Sequence, residues 1–194
     1  MMQAAHSNPQ ADFDPQPVLR GPSLLLRPLV AADREALWEV ARDRLLWALH
    51  PDQTRFESAG FERFFQGSLE SGSALVVVDQ HTGRVVGSSR YYDCEPAKRE
   101  LAIGYTFIAR DCWGGDVNRE LKHLMIEHAA PWADRIWFHV GKGNLRSRRA
   151  MEKIGARAEF EGLRPQNGEM IDFIYYALDV SPWLAAQGAL NGRD

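Results

Sequence analysis

Apolar residues recur along this chain with two periods, and the switches between them mark its elements. Ser23 to Leu29 reads as a first strand. Ala31, Leu37, Trp38, Val40 and Ala41 then follow helical spacing, with Asp33 in the first turn, where an acid is favoured. Leu45 to His50 is a short apolar piece stopped by Pro51. Glu57 to Leu69 predicts a helix with Phe61, Phe64, Phe65 and Leu69 on one face. The character then changes to extended runs. Ala74–Val78 and Val85–Tyr92 predict a hairpin around a turn at His81–Arg84. Glu100–Ala109 predicts a third strand, with Ala102, Gly104, Thr106 and Ile108 on one side. Val117, Leu121, Leu124, Met125, His128 and Trp132 form the apolar stripe of a long helix. Ile136–Val140 is a buried-type strand. Asn144 is an N-cap for a helix that ends at Gly155. Ala156–Glu161 and Met170–Asp179 read as strands joined by a turn bearing Pro165, Asn167 and Gly168.

This order, β-α-α-β-β-β-α-β-α-β-β, predicts one α/β domain. Its sheet should be mixed and mostly antiparallel, with helices on both faces. The strand–helix–strand unit from 101 to 140 should supply a parallel, right-handed crossover. The boundaries read as an N-terminal arm over 1–22, rich in Pro, Gln, Asp and Ala and pinned by Phe13 or Val18, a domain over 23–183 and a C-terminal tail over 184–194.

Composition narrows the function classes. The net charge of −3 argues against a general nucleic-acid binder; Arg146 to Arg149 is only a short basic cluster. No apolar run reaches membrane-spanning length and no secretory h-region follows the start, so no membrane partner is expected. Cys94 and Cys112 show neither a disulfide framework nor zinc spacing, and a reduced, cytoplasmic setting is the expectation. His123 and His128 are five residues apart, about 140° around a helix, so they share no face and no metal is expected.

The chemistry concentrates at Arg110-Asp-Cys-Trp-Gly-Gly-Asp-Val-Asn118. A strand, a glycine-bearing turn and a helix N-terminus make a receptor for phosphate. The first N–H groups of a helix lack intrahelical partners, its dipole favours an anion, and glycine permits close approach.

Three stretches place this loop in a context. They are Leu26-Arg-Pro-Leu29 with Asp33, Glu100-Leu-Ala-Ile-Gly-Tyr-Thr-Phe107 with Trp113-Gly-Gly-Asp-Val-Asn-Arg-Glu120, and Asn144-Leu-Arg-Ser-Arg-Arg-Ala-Met-Glu-Lys-Ile-Gly155. Together they resemble the GNAT superfamily of acyl-CoA-dependent N-acetyltransferases, in the branch that includes the ribosomal-protein N-terminal acetyltransferases. The resemblance covers about residues 23 to 180. It implies acetyl-CoA as donor and a primary amine as acceptor, either a protein N-terminus or a small amine. It implies pyrophosphate on the backbone of Gly114, Gly115, Asp116, Val117, Asn118 and Arg119, beside Trp113. The pantetheine arm should lie between splayed parallel strands, near Phe107 and Ile108 on one side and Phe138 on the other. Asn144 should serve the cofactor or the strand gap, and Arg146 and Arg149 the outer phosphates.

The chain departs from the family pattern at three positions. Asp116 and Asn118 stand where the loop usually has glycine and glycine or alanine. Asp116 sets a carboxylate beside the expected pyrophosphate; its repulsion would weaken binding unless the side chain turns outward, for example as a helix N-cap, and Arg110 and Arg119 would offset it. Met151 stands where many members carry a general-acid tyrosine, and Ser147, one turn earlier, is the substitute. The attacking ammonium must lose a proton, and Glu100 is the candidate base. The N–H of Phe107 or Ile108 would polarise the thioester carbonyl. Of Trp38, Trp47, Phe61, Phe64 and Phe65, one or two should line the acceptor wall with Tyr91 or Tyr92. The other reading is a non-catalytic acyl-CoA-binding module. An exposed final strand at Ile171–Ala177 would let two copies pair as a homodimer.

Overall fold

The computed structural model describes residues 13–191, and the first twelve residues of the expected arm lie outside them. Eight strands form one sheet: β1 (Leu19–Arg20), β2 (Leu24–Pro28), β3 (Ala74–Asp79), β4 (Val85–Glu95), β5 (Glu100–Ile108), β6 (Arg135–Gly141), β7 (Arg157–Gln166) and β8 (Glu169–Asp179). Five helices accompany them: α1 (Arg34–Ala41), α2 (Ser58–Glu70), α3 (Val117–Ala129), α4 (Leu145–Lys153) and α5 (Val180–Asn191). The expected order is present, with β1 and α5 added at its ends. Residues expected as a C-terminal tail begin inside α5.

The sheet runs β1-β2-β3-β4-β5-β6-β8-β7, antiparallel except at β5–β6. On one face α3, α4 and α5 pack through Leu121, Met125, Ile126, Met151, Ile154 and Trp183. On the other, α1 and α2 bury Leu37, Ala41, Phe61, Phe64 and Phe65. Phe13 pins the incoming chain against Tyr91, His128 and Trp132, whereas Val18 is exposed.

Two expectations are corrected. The strand at 171–177 is not an edge: β8 lies between β6 and β7, because the hairpin folds β7 outside it. That hairpin turns at Asn167 and Gly168, both at positive φ, in the two-residue geometry Asn-Gly favours. In β5 the alternation breaks at Tyr105, which takes a left-handed conformation at φ 52°. Leu101 and Ile103 face the α3 side before it, and Ile108 does so after it, while Phe107 faces α1 and α2. A β-bulge adds one residue and so changes which side chains point to a face.

Local chemistry fixes the helices that border the cleft. Asn144 caps α4, its Oδ1 accepting from the Ser147 N–H at 3.2 Å. Gly155, at φ 90°, ends α4: its N–H donates to Glu152 O and that of Ala156 to Met151 O, a Schellman pair. Glu120 ties α3 to the sheet. Its carboxylate accepts from the N–H groups of Ser23 and Leu24, each at 2.8 Å, and from the Ser23 hydroxyl. Glu120→Ala strands those two N–H groups. It should lower stability by about 2–3 kcal/mol, read as an earlier urea midpoint at an unchanged slope.

Candidate active site

β5 and β6 pair over only three positions, Glu100–Ala102 against Arg135–Trp137. Beyond them β5 keeps its ladder with β4, and β6 keeps its ladder with β8 as far as Gly141. The two strands part, and a groove of about 980 Å³ opens between Gly104–Ile108 and Phe138–Gly141. The loop before α3 and the first turns of α4 line it. Leu46 to Arg55 and the tip of the β7–β8 hairpin cover its other end.

The loop end has the features of a phosphate site. Gly114 turns at φ 80°. No backbone N–H from Gly114 to Arg119 has an acceptor among the described residues. Asp116 occupies the N-cap position of α3, but its side chain makes no cap bond. It is 77% exposed and pairs with Arg119 at 2.9 Å. Its charge therefore turns outward toward Arg119 and leaves the helix N–H groups free. Arg146 lies 3.7 Å from the centre of the Trp113 ring and donates to Leu46 O. The Trp113 indole in turn donates to Ile108 O at 2.9 Å. Asn118, Arg119, Arg149 and Lys153 complete the lining here, and Asn144, Ser147 and the core residue Met151 lie between this end and the strand gap.

Three expected site residues are not brought to the groove. Glu100 sits at the paired end of β5, where its carboxylate accepts from the Trp137 indole at 2.9 Å. The strands are zipped there, so a base at that position faces no cleft. Arg110 turns the other way and pairs with Asp43, outside the groove. Val117 packs into the core beneath α3 and offers only its backbone. Trp47 and Tyr92 line the groove, as expected of one or two aromatics. Tyr91 and Phe61 are core, and the Tyr91 hydroxyl donates to Met125 O. Cys112 lines the groove, but burial and the neighbouring Asp111 push its thiol up, so it is no activated nucleophile.

Other lining residues escaped the sequence reading. Lys122 is buried in α3, its Nζ 2.7 Å from the Thr106 hydroxyl and 5.6 Å from the centre of the Phe138 ring. No carboxylate among the described residues pairs with it, and burial lowers its pKa to about 7. The signal was present in the spacing: Lys122 stands three residues before Met125 and four before Ile126, on the face that packs inward. At the covered end, burial and then Arg55 lower His50 to about 3. Burial and then Arg164 lower His139 to about 4, so its ring is neutral at pH 7. The Tyr92 hydroxyl lies 2.9 Å from His139 Nδ1, which Arg164 also contacts. These residues come from four separate elements, and no spacing in the sequence links them.

Comparison with known proteins matches this geometry. A family model for the acetyltransferase (GNAT) domain matches residues 23–157. No curated protein matches the chain. Among solved structures, a GCN5-related N-acetyltransferase from Brucella melitensis superposes with a TM-score of 0.78 at 21% identity, covering 91% of this chain and 85% of that one. A spermidine N-acetyltransferase from Vibrio cholerae, solved with CoA and spermine, gives 0.66 at 18% identity over 84% and 99%. RimJ from Mycobacterium smegmatis, solved with CoA-disulfide, gives 0.64 at 20% identity over 89% and 93%.

The buried amine of Lys122 carries a pH signature. Its folded pKa lies below its unfolded one, so its cost to folding is complete below about pH 7 and fades as pH rises toward the ordinary lysine value near 10.5. Lys122→Met should stabilise the ligand-free protein by about 2–4 kcal/mol at pH 6, and by less at pH 9.5, in urea titrations at the two pH values.

Proposed function

The chain belongs to the GNAT acetyltransferase family, and from that premise we propose that it transfers the acetyl group of acetyl-CoA to a primary amine by direct attack in a ternary complex. One observation carries this reading. The gap between β5 and β6 runs from an uncapped helix N-terminus to a covered chamber, as a donor with a phosphate head and an extended arm requires.

The residues present fit such a donor. The free N–H groups of 114–119 face an anion, and Arg119, Arg146, Arg149 and Lys153 supply counter-charge along the same wall. The facing edges of β5 and β6 hold backbone groups with no strand between them, which the amides of an extended arm can pair with. The thioester carbonyl would sit against the N–H of Phe107 or Ile108. The acceptor nitrogen attacks that carbon, the C–N bond forms, and the C–S bond breaks. Ser147, in the third position of α4, gives the departing sulfur a hydrogen bond. The acceptor's ammonium gives its proton to solvent in the groove before it attacks, since Glu100 at the zipped end is not placed to take it.

A thiol-release assay with acetyl-CoA and an amine panel tests the reading. Release that depends on an amine supports it; CoA binding with no release from any amine would leave an acyl-CoA-binding module. Ser147→Ala should lower kcat about tenfold with little change in the KM for acetyl-CoA. Asp116→Gly should leave the Kd for CoA within about twofold at low and at high salt, because its carboxylate turns outward, 77% exposed and paired with Arg119.

A further inference from the structure

The covered end of the groove is cationic. Among the described residues that line the groove, the only carboxylate is Asp116, at the opposite end and paired with Arg119. The covered end instead presents Arg55 and Arg164, with His50 and His139 between them. The two arginines differ in what they have left to offer. Arg55 is spent: it is fully buried, pairs with Asp52 at 3.2 Å, and lies against the rings of Phe64 and Trp47. Asp52 is itself held by Thr54 and by Asn167.

Arg164 is not spent. It reaches from β7 across β8 to His139 on β6 and toward Asp93 at the end of β4, so it spans both banks of the cleft. Its partner at His139 is a neutral ring nitrogen. Its nearest carboxylate, Asp93, is 3.8 Å away, beyond hydrogen-bond distance, and 56% exposed. A guanidinium has five N–H donors in a planar fork, which suits a carboxylate taken by two bonds. Arg164 is 30% exposed; His139 and the Tyr92 hydroxyl take part of its fork, and no carboxylate among the described residues lies within hydrogen-bond distance of it, so donors remain for a ligand in the groove.

The chamber is also closed against a bulky acceptor. Asn167, at the hairpin tip, donates to Asp52 at 2.8 Å. Pro51 lies so close over Gly141 that a Cβ there would come within 2.3 Å of the proline ring. The hairpin and the 46–55 segment therefore meet above the groove.

We propose that the acceptor is a small amine that also bears a carboxylate, and that it docks by that carboxylate on Arg164 with its amine turned into the strand gap. The inference rests on the acetyltransferase reading and adds the class of acceptor to it. A polyamine would bring further ammonium groups to a wall whose described lining has no free carboxylate to receive them, beside Arg164, which repels them. An amino acid brings one carboxylate to Arg164, the covered-end guanidinium that no carboxylate among the described residues meets at hydrogen-bond distance.

The test uses the full chain saturated with CoA and matched acceptors: an α-amino acid, the amide of the same amino acid, and spermidine. Calorimetry reads binding, and thiol release with acetyl-CoA reads turnover. The amino acid should bind about tenfold or more tightly than its amide and show the larger kcat/KM, with spermidine poorest. Arg164→Gln should bring the ratio of amino acid to amide near one, and Arg164→Lys should keep part of it. An unchanged Kd for CoA shows that each variant is folded. Equal binding of acid and amide, a preference for spermidine, or a preference that survives Arg164→Gln overturns the proposal. Silence in the thiol assay with every amine would sink acetyl transfer, while the calorimetric comparison still decides the carboxylate site.

Discussion

The parallel ladder between β5 and β6 stops after three pairs, and every functional feature depends on that stop. Each strand is held away from the other by a stronger commitment on its far side. β4 follows β5 through a register shift around the left-handed Tyr105, and β8 follows β6 to Gly141. Gly104, beside that bulge, carries no side chain because a Cβ would meet the Tyr92 ring at 2.8 Å. The result is two facing rows of backbone polar groups with nothing between them. Such groups must be met by water or by a ligand, since a dry unpaired amide costs about as much as a lost hydrogen bond. The sheet thus makes a ligand slot from its own broken pairing.

The helices add direction to the slot. α3 aims its free N–H groups at one mouth, held in place by Glu120 gripping the start of β2. α4 is fixed at both ends, by Asn144 and by Gly155, and lays Ser147, Arg146 and Arg149 along the same wall. Charge is then graded along the groove: Arg119, Arg146 and Arg149 at the loop end, a neutralised Arg55–Asp52 pair and the freer Arg164 at the other. Lys122 lies buried between these ends, an amine that the ligand-free fold tolerates by losing its charge near neutral pH. A polar group kept at such cost inside a binding cleft is best explained by the ligand rather than by the fold.

Much of this was legible in the chain, and the misreadings have specific causes. The strand–loop–helix around Gly114 and the Asn144–Gly155 helix were readable because turn chemistry and capping are local. The α3 stripe is right in its core members, since Val117, Leu121, Leu124, Met125 and Trp132 all pack on the core, but it leaves out Lys122, Ile126 and Ala129, which are buried beside them. A lysine on an apolar face invites being set outside it. The side-chain alternation of β5 was misread because a bulge leaves no mark in a run of apolar residues. Glu100 was a reasonable base by residue type, but its distance from the cleft depends on where the ladder ends. The final strand looked exposed because chain order does not say that β7 wraps outside β8.

The sequence by itself determined the elements, their caps and turns, the anion-competent loop and the family. All of these rest on interactions between residues a few positions apart, or on motifs that such spacing preserves. Tertiary structure alone decided which residues share the groove. It set Glu100 at the zipped end, turned Arg110 toward Asp43, buried Lys122 against Thr106, and brought Arg164 from β7 to His139 on β6. Those meetings are set by sheet order and by the point at which two strands part, and no local propensity encodes either one.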